Sequence, residues 1–291
     1  MTAPISLFGV EFQNPILLAA GTAGFGREVS GLIDLDRLGG VVTKSVSREP
    51  RAGHPPPRVA EFAGGMLNSV GLANPGVDAV RDVELPWLAT HVRRARVLVS
   101  VVGSTVEDYV AVIERLGPHP IVTAFELNLS CPNTARGGEH FGADDGVLAD
   151  LVRRCRAATV RPLVAKLAPT LSDIARTARV AAGAGADAFT VVNTMPGALF
   201  RRTAGPADRW GGRLGAGSGG VSGPALLPVG VLATQRVRQA TGLPVIGVGG
   251  IRTPDDVHQY LEAGASLVQV GTAALAEPRL PERLAAAWTH G

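Results

Sequence analysis

Ile121-Val122-Thr123-Ala124-Phe125-Glu126-Leu127 runs straight into Asn128-Leu129-Ser130-Cys131-Pro132-Asn133 near the middle of the chain. The first part is an apolar stretch of strand length and reads as a buried strand. The second crowds Asn128, Ser130, Cys131 and Asn133 together where that strand ends, and Pro132 bars further strand or helix. One reading is a strand-ending turn with a buried, inert cysteine, since free Cys is often buried. The other is a reaction site whose thiol serves as nucleophile or general base. The surroundings of this stretch decide between them.

Working outward, short apolar runs of the same sort recur at 16–20, 41–43 and 97–102 before it, and at 163–167, 188–192, 245–248 and 267–270 after it. Helical patterning follows most of them, over about 76–94, 105–116, 146–159, 171–183, 225–241, 254–263 and 280–288, with a short helix also expected over 28–38. Continuous apolar runs, as opposed to alternating ones, mark parallel strands buried on both faces. Eight such units predict an α/β chain folded as a (β/α)8 TIM barrel, a single domain over 1–291. A short N-terminal hairpin over 5–12 precedes it. Long loops at 45–76 and 197–223 interrupt it, and loops of that length usually carry function. The competing architecture, a doubly wound open sheet, usually has fewer strands.

Composition narrows the classes. Apolar residues make up 46% of 291, which excludes a disordered chain. The net charge is +3 and the pI 9.3, but aromatics are only 4% and the arginines are scattered, so no nucleic-acid stripe is expected. Two cysteines, Cys131 and Cys155, exclude a disulfide scaffold and an all-cysteine iron–sulfur cluster within this chain. The six His lack zinc-ligand spacing, so no metal is expected. No signal-like start and no run of roughly 20 apolar residues are present, so the expectation is a cytoplasmic protein with no membrane contact.

Rare residues are more telling. Only Lys44 and Lys166 are lysines, against 26 Arg, and only six Asn occur: Asn14, Asn68, Asn74, Asn128, Asn133 and Asn193. Two lysines in so arginine-rich a chain are candidates for places where a wide planar fork would not serve. In a (β/α)8 barrel the chemistry lies at the C-terminal strand ends. There the chain places Ala20-Gly21, Lys44-Ser45, Ser100, Asn128 with Cys131, Lys166, Asn193-Thr194, Gly249-Gly250 and Gly271-Thr272. That concentration favours the reaction-site reading. The glycine-rich ends after strands 7 and 8 suit a phosphate received by backbone N–H groups. The amides both donate and accept, which suits a flat imide- or carboxylate-bearing substrate near Cys131. The run 215–220 looks like a dinucleotide fingerprint but follows the sixth strand, not the first of a βαβ unit, and is discounted.

The segment Asn128–Asn133, with Asn68-Ser69-Val70-Gly71-Leu72, Asn74-Pro75-Gly76, Thr43-Lys44-Ser45, Ala165-Lys166-Leu167, Val192-Asn193-Thr194, Gly219–Pro224, Gly249-Gly250-Ile251 and Gly271-Thr272, resembles the dihydroorotate dehydrogenase family in order and over about 5–288. The wording is most similar to subclass 1B of class 1, whose catalytic base is Cys. The resemblance implies FMN-dependent oxidation of (S)-dihydroorotate to orotate in pyrimidine biosynthesis. It implies Cys131 as the base, with Lys44 beside it, and substrate held by Lys44, Asn68, Ser69, Val70, Gly71, Leu72, Asn128, Asn133, Asn193 and Thr194. It implies FMN held by Ala20, Gly21, Lys44, Ser45, Ser100, Asn128, Lys166, Val192, Gly223, Gly249, Gly250, Gly271 and Thr272. It further implies a homodimer joined to a second subunit carrying FAD and a 2Fe-2S cluster, a heterotetramer passing electrons to NAD. Ser100 stands where the family pattern has Asn, Ala20 where it often has Ser, and 168–170 and 195–215 also depart from it. Related flavin enzymes acting on uracil or thymine, and a non-redox barrel lyase or isomerase on a phosphorylated substrate, are the alternatives.

Overall fold

The computed structural model describes residues 4–130, 132–133, 139–202 and 210–290. Eight parallel strands close into a barrel in chain order: β1 (Ile16–Leu18), β2 (Gly40–Val42), β3 (Arg96–Val101), β4 (Val122–Asn128), β5 (Leu163–Leu167), β6 (Ala188–Val191), β7 (Val245–Val248) and β8 (Leu267–Val270). The (β/α)8 expectation is met. Helices α1 (Leu85–His91), α2 (Val106–Leu116), α3 (Asp145–Ala157), α4 (Ile174–Gly183), α5 (Leu227–Thr241), α6 (Pro254–Glu262), α7 (Thr272–Ala276) and α8 (Leu280–His290) surround it. Val77–Ala79 and a π-turn at Val80–Glu84 lead directly into α1. Side-chain oxygens at Thr105, Asp144, Asp173 and Thr253 accept the orphan N–H groups at the starts of α2, α3, α4 and α6. At Thr105 and Thr253 the third helical residue is an Asp that reaches back, completing a capping box.

Period-two alternation along the strands sorts the barrel interior into layers. The lower ring takes one apolar residue from every strand: Leu17, Val42, Leu98, Ala124, Val164, Ala188, Ile246 and Leu267. The hairpin Ile5–Leu7 with Val10–Phe12 lies against this end, and Ile5, Leu7, Phe8, Val10 and the buried Phe12 pack onto the ring. Side chains on the strands' other faces join the outer core beneath the helices, including Phe125, Leu127, Phe189 and Val268.

Three expectations fail. The helix expected over 28–38 is a series of turns ending in a 3-10 turn at Leu35–Arg37, because Ser30, Gly31 and Asp34 favour turns. The segment 45–76 is not structureless: Val59–Phe62 and Gly65–Asn68 form a hairpin. Nor is 197–223: Met195–Gly197 and Gly219–Ser222 pair, and Gly219–Ser222 pairs with Gly65–Asn68, giving a four-stranded antiparallel sheet over the barrel. Phe200–Arg202 and Trp210–Gly212 form a further hairpin. These strands are too short to show alternation, and the pairing of Gly65–Asn68 with Gly219–Ser222 joins segments some 150 positions apart in the chain. Helix α7 was not expected at all.

Candidate active site

Two residues up each strand from the lower ring stand Ala19, Lys44, Ser100, Glu126, Lys166, Thr190, Val248 and Gln269. Glu126 is wholly buried. Its Oε1 accepts from Lys166 Nζ at 3.2 Å, and its Oε2 accepts from Thr190 Oγ1 and Gln269 Nε2, each at 2.8 Å. Lys166 Nζ also reaches Gln269 Oε1 at 3.5 Å, and Lys166 is 6% exposed. A buried carboxylate and ammonium are tolerable only because they are paired and their other bonds are supplied. Across the ring, Ser45 and Ser100 hydroxyls lie 2.9 Å apart, both buried. Lys44 is half-buried; its amide donates to the Gly24 carbonyl, and its ammonium lies beside Gly21. Burial, and then the nearby Arg58 guanidinium, hold that ammonium below the usual lysine range.

Above this ring the rare amides converge. Asn193 Nδ2 donates to Asn128 Oδ1 at 3.2 Å, and Asn193 Oδ1 accepts from the Thr194 amide at 2.8 Å. Tyr109 donates its hydroxyl to the Asn128 carbonyl at 2.6 Å, pinning the end of β4. Asn68 closes a strand of the upper sheet and donates to the Gly220 carbonyl at 3.2 Å. A Cβ on Gly220 would fall 2.1 Å from Thr194 Oγ1, so a glycine there lets the sheet settle onto Thr194. Ser69 is buried with its hydroxyl 2.7 Å from His54 Nδ1, and the His54 amide donates to the Val70 carbonyl. Gly71 and Leu72 both take positive φ, 71° and 57°. Asn14 and Asn74 bind backbone groups elsewhere and are structural.

At the ends of β7 and β8 the backbone is bare. Gly250 has φ of 77°, and a Cβ there would fall 2.7 Å from the Leu227 amide nitrogen. Tyr260, buried, donates its hydroxyl to the Gly249 carbonyl at 2.8 Å. Thr272, next to Gly271, donates its hydroxyl to Ser222, next to Gly223, at 2.7 Å. Val192 follows β6 and donates its amide to the Val248 carbonyl. Bare backbone with hydroxyls at one side of the mouth and a lysine in the ring below suit a phosphate joined to an electron-accepting ring system.

Cys131 and the side chain of Asn133 lie outside the described residues; on the backbone Pro132–Asn133 pairs with Glu139–His140. Ser130 Oγ is buried without a partner among the described residues. The other cysteine, Cys155, is buried on α3, and burial pushes its thiol up to about 12, so it is inert. Sequence reasoning passed over Glu126 as a site residue, and Thr190 and Gln269 entirely. The available signal was polar residues inside strands otherwise apolar. Among the described residues no group of three or more His, Cys, Asp or Glu could hold a metal, and no helix is long and apolar enough to cross a membrane.

Fold and mouth together define a (β/α)8-barrel enzyme with its polar groups gathered at the C-terminal strand ends. Residues 3–287 match the family model described as dihydroorotate dehydrogenase. The chain is 46% identical to the "Putative dihydroorotate dehydrogenase A (fumarate)" of Solibacter usitatus, over 96% of this chain and 90% of that protein. It is 43% identical to the dihydroorotate dehydrogenase B (NAD(+)) catalytic subunits of Geobacillus kaustophilus, over 94% and 85%, and of Bacillus thuringiensis, over 94% and 86%. The chain belongs to the dihydroorotate dehydrogenase family, FMN-dependent oxidoreductases of pyrimidine biosynthesis.

Proposed function

We propose that this chain oxidises (S)-dihydroorotate to orotate at the C-terminal mouth of the barrel, with Cys131 as the general base. The observation that carries the reading is the convergence of Lys44, Asn68, Asn128, Asn193 and Thr194 on one mouth, in a chain that matches the family over residues 3–287. Loss of hydride from C6 builds positive character there, and removal of the C5 proton by Cys131 compensates it. FMN, when bound, supplies the hydride acceptor. Asn68, Asn128, Asn133, Asn193 and Thr194, with the backbone of 69–72, hold the pyrimidine amides. Lys44 meets the carboxylate. Ala20, Gly21, Lys44, Ser45, Ser100, Asn128, Lys166 and Val192 line the cofactor's ring. Gly223, Gly249, Gly250, Gly271 and Thr272 take its phosphate. Lys166 brings a cation to the electron-accepting ring.

The relatives named as NAD(+)-dependent catalytic subunits support a separate electron-transfer subunit; that this subunit carries FAD and a 2Fe-2S cluster, and that this chain is a cytoplasmic homodimer, belong to the same proposal. The relative named for fumarate favours a second reading for the acceptor alone, in which this chain needs no partner. An anaerobic spectrum before and after L-dihydroorotate tests the activity: yellow protein that bleaches supports it, and colourless protein overturns it. Reoxidation of the bleached chain by fumarate, measured without other proteins, separates the two acceptors.

A further inference from the structure

Glu126 is the one carboxylate among the described residues of the upper ring, and its buried site has no assigned role. Its three donors come from three different strands, β5, β6 and β8, so four of the eight strands meet at this carboxylate. The charged groups of the ring are Lys44, Glu126 and Lys166, and Lys44 has no bond to this cluster among those described. Thr190 and Gln269 both donate to Oε2, which leaves Oε1 for Lys166 alone. Glu126 is 0% exposed at its side chain, whereas Lys166 keeps 8%. The carboxylate is sealed inside the barrel, and the ammonium is the member of the cluster that the mouth can reach.

We propose that Glu126 is a positioning residue. Its carboxylate, fixed by Thr190 and Gln269, holds the Lys166 ammonium in place at the floor of the mouth, where it would meet bound FMN. This rests on the reading that the mouth takes FMN. An ammonium so nearly buried, stripped of the carboxylate that fixes it, swings away toward water. That removes positive charge from beside the cofactor, and the reduced, more negative flavin loses more than the oxidised one.

The experiment compares wild type, E126Q, K166M and the E126Q/K166M double variant by FMN affinity of the apoprotein and by the midpoint potential of the bound flavin. E126Q is expected to lower the preference for reduced over oxidised FMN about tenfold, roughly 30 mV for a two-electron couple, in the same direction as K166M. On the K166M background E126Q is expected to change neither reading, because Glu126 acts through Lys166. A potential that rises in E126Q overturns the proposal, since the carboxylate would then be cancelling the ammonium instead of holding it. Equal shifts on both backgrounds overturn it too. T190V and Q269L each remove one donor and should shift the potential the same way by less, which keeps the test decisive if E126Q does not fold. Wild-type protein that binds no FMN would refute the cofactor reading itself and is told apart by that first titration.

Discussion

The two rings of the barrel interior occupy equivalent positions on the same eight strands, two residues apart, yet share almost no chemistry. The lower ring is apolar on every strand and closed over by the N-terminal hairpin. The upper ring carries two ammonium groups, a carboxylate, an amide and three hydroxyls once Ser45 is counted beside it. The difference is one of pairing: Ser100, Glu126, Thr190 and Gln269 are as buried as the lower ring, but each has a hydrogen-bond partner, and the ring lies next to the mouth. Where the hairpin excludes water, unpaired polar groups would cost several kcal/mol each. Where the mouth opens, polar groups are retained because each finds a partner or faces a ligand. Function has been confined to one layer, and stability is carried by the layer beneath.

The sharpest way to break this division is at the rim. Replacing Cys131 with Ala should leave FMN bound but slow flavin reduction by dihydroorotate about a thousandfold, the worth of a well-placed general base. Stopped-flow bleaching measures it; a variant as fast as wild type would remove Cys131 from that role. The converse lies in the lower ring. Leu17→Ala should cost about 2–5 kcal/mol in unfolding free energy while FMN affinity of the folded protein stays within about twofold. A large loss of affinity without loss of stability would show that the layers are not separate.

Lys44 supplies a pH test. Its folded-state pKa lies below the ordinary 10.5, so its charged form is disfavoured by folding; that cost is present at low pH and relieved as pH rises through the lowered value. An anionic ligand reverses the preference. Orotate affinity for the oxidised protein should therefore fall by about tenfold per pH unit once pH exceeds the lowered value, and K44M should show no such fall. Affinity that stays level up to pH 10 in wild type would sever Lys44 from the carboxylate. The smallest effect is expected beyond both rings. Cys155 should resist iodoacetamide in the native protein, and Cys155→Ala should cost about 1 kcal/mol with unchanged turnover.

How much of this was legible beforehand differs by element. The eight strands and most helices were, because a parallel strand buried on both faces reads as a continuous apolar run and helical patterning follows most of those runs. Both lysines, and Asn128 and Asn193, could be placed at the mouth because barrel strands end there. The four-stranded sheet over the mouth was not, since Gly65–Asn68 and Gly219–Ser222 have no pattern until they meet. Asn68 was accordingly expected on a loop and is found at a strand end.

The chain alone therefore determined the barrel, the end of it that works, and the residues rare enough to matter there. These follow from local periodicity and from where rare polar side chains fall along it. Only the tertiary structure decided which of them touch. It joined Asn128 to Asn193, seated Gly220 on Thr194, and closed Glu126, Lys166, Thr190 and Gln269 into one cluster. Those contacts span 40 to 143 positions for the cluster around Glu126, and no local pattern encodes a pairing that only the closing of the barrel creates.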